Sequence, residues 1–94
     1  FGEIEDEHDV QELVEREIVA GEWEFSARLE VEYLNEKYGL GIPESEEYDT
    51  LAGYLIAEYG GIPHEGDEIS AGGYLMRILQ REQSRLDLVK VKRK

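Results

Sequence analysis

Cysteine is absent from the 94 residues. That excludes disulfides, thiolate zinc sites and cysteine nucleophiles, and it suits a reducing compartment. Histidine occurs twice and proline twice. No apolar run approaches the roughly 18 residues that a membrane-crossing helix needs. The first nine residues are mostly acidic, the reverse of the basic start of a signal peptide. The chain opens on Phe1 rather than Met, so it is expected to be part of a longer protein.

Basic side chains are also scarce over most of the length. Residues 1–72 hold 21 acidic and 3 basic side chains, whereas residues 73–94 hold 2 acidic and 7 basic. The net charge is −13. Such a surface repels nucleic acid, whose binding rests on basic contacts to phosphate. Phosphate-cradling loops are missing as well. Gly60-Gly61 and Gly72-Gly73 are pairs, without the spacing of a dinucleotide or P-loop fingerprint.

Catalytic patterns are equally thin. None of Ser26, Ser45, Ser70 and Ser84 lies in a glycine-flanked strand–turn–helix elbow. His8 falls in the acidic start and His64 in a proline turn. Glu58, the one carboxylate in an apolar stretch, is expected to reach solvent from the edge of its helix. No enzyme activity is expected. One run has the donors for a hard cation: Glu5, Asp6, Glu7, His8 and Asp9. Its spacing lacks the central glycine and closing glutamate of an EF-hand loop, so a solvated acidic stretch is the simpler reading. Glu65, Asp67 and Glu68 form a second, weaker cluster.

What is present suffices for a packed core. Apolar residues make up 40% of the chain and aromatics 10%. One domain of this size buries roughly 60–70% of the surface its unfolded chain exposes. Residues 1–12 read as an acidic linker and 13–94 as the domain. Residues 13–20 suit a first strand, ended by Gly21. Trp23, Phe25, Ala27, Leu29 and Val31 then alternate with polar residues, the period of a half-buried strand. At Val31 the period changes. Val31, Leu34 and Tyr38 share one helical face, and Gly39 suits the helix end.

Asp49 or Thr50 can cap a second helix. Residues 51–59 are apolar nearly all round, as expected of a helix buried on more than one side. Gly60-Gly61 and Pro63 stop it. Strands are expected over 68–71, 74–81 and 85–92, with Gly72-Gly73 and 82–84 as turns. Leu88-Val89 breaks the alternation, which predicts a bulge or a strand partly buried on both faces. The aromatics Trp23, Phe25, Tyr33, Tyr38, Tyr54, Tyr59 and Tyr74 fall mainly at core spacings. The order β-β-α-α-β-β-β implies an α+β fold, with two helices packed on a mainly antiparallel sheet.

Four segments resemble one family. GEIEDEHD resembles the stretch that follows a pair of CBS domains in certain bacterial membrane proteins. GEWEFSARLEVEYLNEKYGLGIP, with Leu34-Asn35-Glu36, is similar to the strand-then-helix signature of the CorC/HlyC-type transporter-associated domain. EYDTLAGYLIAEYGGIPHEGDEI carries Tyr48, Thr50, Gly53, Gly60, Ile62-Pro63 and Gly66-Asp67 in that family's order. GGYLMRILQREQSRLDLVKVKR is similar to its closing strands. One departure stands out: Ser26-Ala27-Arg28 replaces a glycine frequent in the family, which reshapes the local turn.

The resemblance implies a non-catalytic accessory domain of a magnesium/cobalt efflux or haemolysin-like protein. It implies a place on the cytoplasmic face of the inner membrane, and a regulatory role exerted through contacts. The partners implied are the CBS pair and membrane domain of the same chain, with a homodimer through an exposed sheet edge as a further expectation. No cofactor is expected beyond weak divalent cation binding. The fold is similar to part of PCMH-type FAD-binding domains, which offers FAD or an adenine nucleotide as an alternative ligand.

Overall fold

The computed structural model of the chain describes residues 13–94. Strands β1 (Glu15–Val19) and β2 (Glu22–Ser26) come first. Helices α1 (Val31–Tyr38) and α2 (Leu51–Tyr59) follow. Strands β3 (Glu68–Ala71), β4 (Tyr74–Glu82) and β5 (Arg85–Arg93) close the fold. The α+β class and the order β-β-α-α-β-β-β are those expected. The acidic run Glu5, Asp6, Glu7, His8 and Asp9, and the linker assigned to 1–12, lie outside the described residues.

The five strands form one antiparallel sheet in the order β1-β2-β5-β4-β3. The last strand is thus the central one. Its side chains Leu86, Val89 and Val91 are fully buried. Leu86 and Val89 have opposite parity, yet both face the core. A bulge resolves this: Gln80 pairs with Leu88 and Arg81 with Leu86, so Asp87 has no opposite number. The expected irregularity is therefore real, and begins one residue earlier. The freed Asp87 carbonyl accepts from Ala27 N–H at 2.9 Å.

The alternation of Trp23 to Val31 does not mark one strand. β2 ends at Ser26, and the chain turns over residues 27–29 before α1. Ala27 and Leu29 stay buried because the turn packs under the helices. Burial, and not backbone conformation, carries the period there. Ser26, the last residue of β2, is buried, and its Oγ accepts from Val14 N–H at 2.7 Å.

Both helices cover one face of the sheet. α1 contributes Val31 and Leu34, and α2 contributes Leu51, Tyr54 and Leu55, to a core with Trp23, Phe25, Met76 and Ile78. α2 is enclosed only through its first two turns; Ala57, Glu58 and Tyr59 are exposed. Thr50 is its N-cap, with Oγ1 accepting from Gly53 N–H at 3.2 Å. The aromatics divide. Trp23 and Phe25 stack at 6.2 Å, Phe25 meets Tyr38 at 5.2 Å, and Tyr74 donates to the Leu40 carbonyl at 2.7 Å. Tyr33 and Tyr59 depart from the core expectation, at 38% and 46% exposed. Each spends its hydroxyl on a carboxylate instead, Glu15 and Asp67 respectively.

Candidate functional site

A groove of about 280 Å³ opens where α1 begins. Glu30, Val31, Glu32, Glu44, Ser45, Tyr48 and Asp49 line it. Two backbone contacts build it. Glu30 and Thr50 form an isolated antiparallel bridge, and Val31 N–H donates to the Asp49 carbonyl at 2.8 Å. Glu30 offers α1 no side-chain cap. The Asp49 carbonyl therefore satisfies a first-turn N–H that would otherwise lack a partner.

Asn35 fixes the far wall. Its amide donates to the Ile42 carbonyl and accepts from Ile42 N–H, both at 2.8 Å, and it reaches Glu44 at 3.2 Å. Tyr48 donates to the Pro43 carbonyl at 2.6 Å. Burial, then the nearby Glu58 and Glu47 carboxylates, push its hydroxyl up from the ordinary tyrosine range. The loop 40–48 is thereby pinned to α1.

Four carboxylates, from Glu30, Glu32, Glu44 and Asp49, edge this groove. They can concentrate cations near the surface through their summed field. Coordination is a stronger demand. Among the described residues no three histidine, aspartate or glutamate side chains stand close enough to hold a metal ion. The weaker cluster at Glu65, Asp67 and Glu68 is dispersed likewise. Asp67 accepts from His64 N–H and Tyr59 Oη, Glu65 from Arg81 N–H, and Glu68 lies 3.9 Å from Arg77. The His64 amide and the Tyr59 hydroxyl hold the Asp67 carboxyl below its usual range. The bonded phenol of Tyr59 is raised in turn.

A second polar assembly joins β1 to α1. The Glu15 carboxylate accepts from Tyr33 Oη and Tyr38 Oη, each at 2.8 Å, and meets Lys37 Nζ at 2.6 Å. Desolvation raises the Glu15 carboxyl, but the bonds from Lys37, Tyr38 and Tyr33 outweigh it and leave the carboxyl below its ordinary value. The same pairing raises Lys37. Tyr38 is raised by burial and then by Glu15.

Three of the four serines have structural partners: Ser26 with Val14, Ser45 with Glu47, and Ser70 with Lys94. Neither the groove nor the Glu15 assembly was legible in the sequence. Glu30 and Asp49 lie 19 residues apart, and Glu15 reaches 18 and 23 residues ahead. Only the backbone bridge and the strand-to-helix packing bring these partners together.

The family model described as "Transporter associated domain" (CorC_HlyC) matches residues 16–94. The UPF0053 protein YegH of Escherichia coli K12 is 33% identical over 89 residues, covering 95% of this chain and 16% of that protein. The magnesium and cobalt efflux protein CorC of the same strain is 32% identical over 92 residues, covering 97% of this chain and 31% of that protein. The chain thus spans less than a third of either relative. A solved transporter associated domain from a Xylella fastidiosa Temecula1 hemolysin, in complex with Mg++ and Mn++, superposes with a TM-score of 0.72. It is 27% identical and covers 86% of this chain and 98% of that one.

Proposed function

Because this chain belongs to the CorC_HlyC transporter-associated domain family, we propose that it is a non-catalytic accessory domain that modulates ion transport by the rest of its parent protein. The observation that carries the reading is the relation to CorC, an efflux protein of which this chain spans 31%. The domain acts by differential contacts: it binds one state of the transporter better than another and shifts the balance between them. Its partners are the CBS pair and the membrane domain of the same chain, on the cytoplasmic face of the membrane. Among the described residues no helix is long and apolar enough to cross a membrane.

Divalent cations enter at a lower level. A relative was solved with Mg++ and Mn++, and the groove edged by Glu30, Glu32, Glu44 and Asp49 is the described surface at which such ions would gather. The dispersed carboxylates favour loose attraction over a coordination sphere. Glu5, Asp6, Glu7, His8 and Asp9 are the other candidate donors. The flavin or adenine-nucleotide alternative has charge against it: a pyrophosphate at the groove would meet carboxylates.

The decisive experiment uses the whole parent protein in proteoliposomes, with and without this domain. Expected is transport that persists without the domain but changes in rate or in cation dependence. Unchanged transport on both counts would sink the reading. Titration calorimetry of the 94-residue chain with Mg²⁺, Mn²⁺ and Co²⁺, and with FAD and ATP, separates the ligand classes. Weak cation heats lowered by Glu30→Gln and Asp49→Asn would place the ions at the groove. Saturable FAD or ATP heats would install the alternative.

A further inference from the structure

Few described side chains fasten the first strand to the body of the domain: Arg16 donates to Glu24 of β2 at 2.7 and 3.1 Å, and Glu15 alone reaches the helices. β1 is an edge strand, paired with β2. No side chain of the buried core comes from it. Only Glu15 is half-buried; Arg16 and Glu17 are exposed, and Ile18 and Val19 are 43% and 55% exposed. The ladder slips at Ile18, which has no opposite residue on β2. Apolar burial stabilises in proportion to the area removed from water. By that measure β1 contributes little.

Its leading end is held in two ways. Val14 exchanges hydrogen bonds with Ser26, N–H to Oγ and carbonyl to N–H, both at 2.7 Å. Glu15 then reaches to α1, where one carboxylate collects Tyr33, Tyr38 and Lys37. Lys37 Nζ also lies 5.6–5.7 Å from the centres of both tyrosine rings, within cation–π range. Hydrogen bonds to an ionised group are about twice as strong as neutral ones. The three bonds to Glu15 are the side-chain attachment of β1 to the helical layer, whereas Arg16 reaches only the neighbouring strand.

We propose that β1 is a detachable edge strand, clasped to α1 by Glu15, which opens as a unit while the other four strands stay folded. Segments with few buried contacts open at lower free energy than the core beneath them. Here the core residues Phe25, Leu34, Leu55, Met76, Ile78 and Val89 lie wholly on the other elements. Residues 1–12 join the described domain through β1. Opening also frees the outer edge of β2 for another strand.

Hydrogen exchange on the 94-residue chain, read peptide by peptide under native conditions, tests the proposal. Segment 13–21 is expected to exchange faster than segment 85–93. Glu15→Ala should speed exchange in 13–21 roughly tenfold or more and leave 85–93 unchanged. Lys37→Met should act in the same direction, more weakly. A single exchange rate for both segments, moved together by the substitutions, would mean that β1 opens only when the domain unfolds, and the proposal would fall. Exchange in 13–21 that ignores both substitutions would remove the clasp. A Glu15→Ala chain that does not fold would also overturn it, because β1 would then be integral to the fold.

Discussion

At the scale of single residues, Gly53 has no room for a side chain. A Cβ there would lie 2.7 Å from Tyr48 Cβ. Tyr48 cannot withdraw freely, since its hydroxyl is fixed on the Pro43 carbonyl and its ring packs against Tyr54 at 5.5 Å. Gly53→Ala is therefore expected to destabilise the chain by about 1–3 kcal/mol despite the better helix propensity of alanine. A thermal melt should show a midpoint lowered by several degrees. Acid should weaken the fold for a nameable reason. The carboxyls of Glu15 and Asp67 titrate below their ordinary values in the folded state. Their contribution is present above the unfolded value and is lost as pH falls through the folded one. Urea midpoints measured from pH 7 down to pH 3 should fall most steeply over that acid window. Glu15→Gln should flatten the fall.

At the scale of elements, the helices differ in how they begin. α2 has a side-chain cap in Thr50, and Thr50→Ala should cost about 1 kcal/mol, with Thr50→Ser restoring most of it. Chemical denaturation of the three chains would check this. α1 relies on the backbone bridge between Glu30 and Thr50 instead, so loosening the start of α2 should also loosen the start of α1. Exchange at the Val31 amide, which the Asp49 carbonyl covers, should rise in Thr50→Ala. Turn chemistry behaves as the sequence led one to expect. Gly72 and Gly73 both have positive φ, at 63° and 85°, and join Ala71 to its partner Tyr74 in a two-residue hairpin. Glycine accepts that pair of conformations without strain.

At the scale of the whole molecule, charge and sheet edges decide how copies meet. One edge, β1, carries Glu15, Arg16 and Glu17 and a bulge at Ile18. The other, β3, is four residues long. Charges, bulges and shortness are the devices by which proteins blunt sheet edges. With a net charge of −13 added, sedimentation of the isolated chain at moderate salt should give a monomer. A stable dimer would favour the expected contact through a sheet edge. The uncovered face of the sheet is less acidic than the helical side. On it Arg16 meets Glu24 at 2.7 Å, and Lys90 and Lys92 share Glu22 at 3.7 Å. The basic residues of the last quarter of the chain thus partly neutralise glutamates of β2 across the sheet.

The amino-acid sequence by itself determined the elements. Period two in Trp23 and Phe25, the switch of period at Val31, the glycines after Tyr38 and Tyr59, and the paired glycines at 72 and 73 are local signals. Each acts within a few residues through sterics, capping or one-sided burial. The slip at Leu88-Val89 is local too, and it located the bulge to within a residue. Tertiary structure alone decided the rest. It set β5 between β2 and β4, turned the chain at Ala27 while keeping it buried, and drew Tyr33 out of the core to Glu15. It also assembled the groove from Glu30, Glu32, Glu44 and Asp49. The physical reason is range. Local sterics and burial period are written in neighbouring residues, whereas the partners of a carboxylate or a sheet edge lie tens of residues away and are chosen only when the layers close on each other.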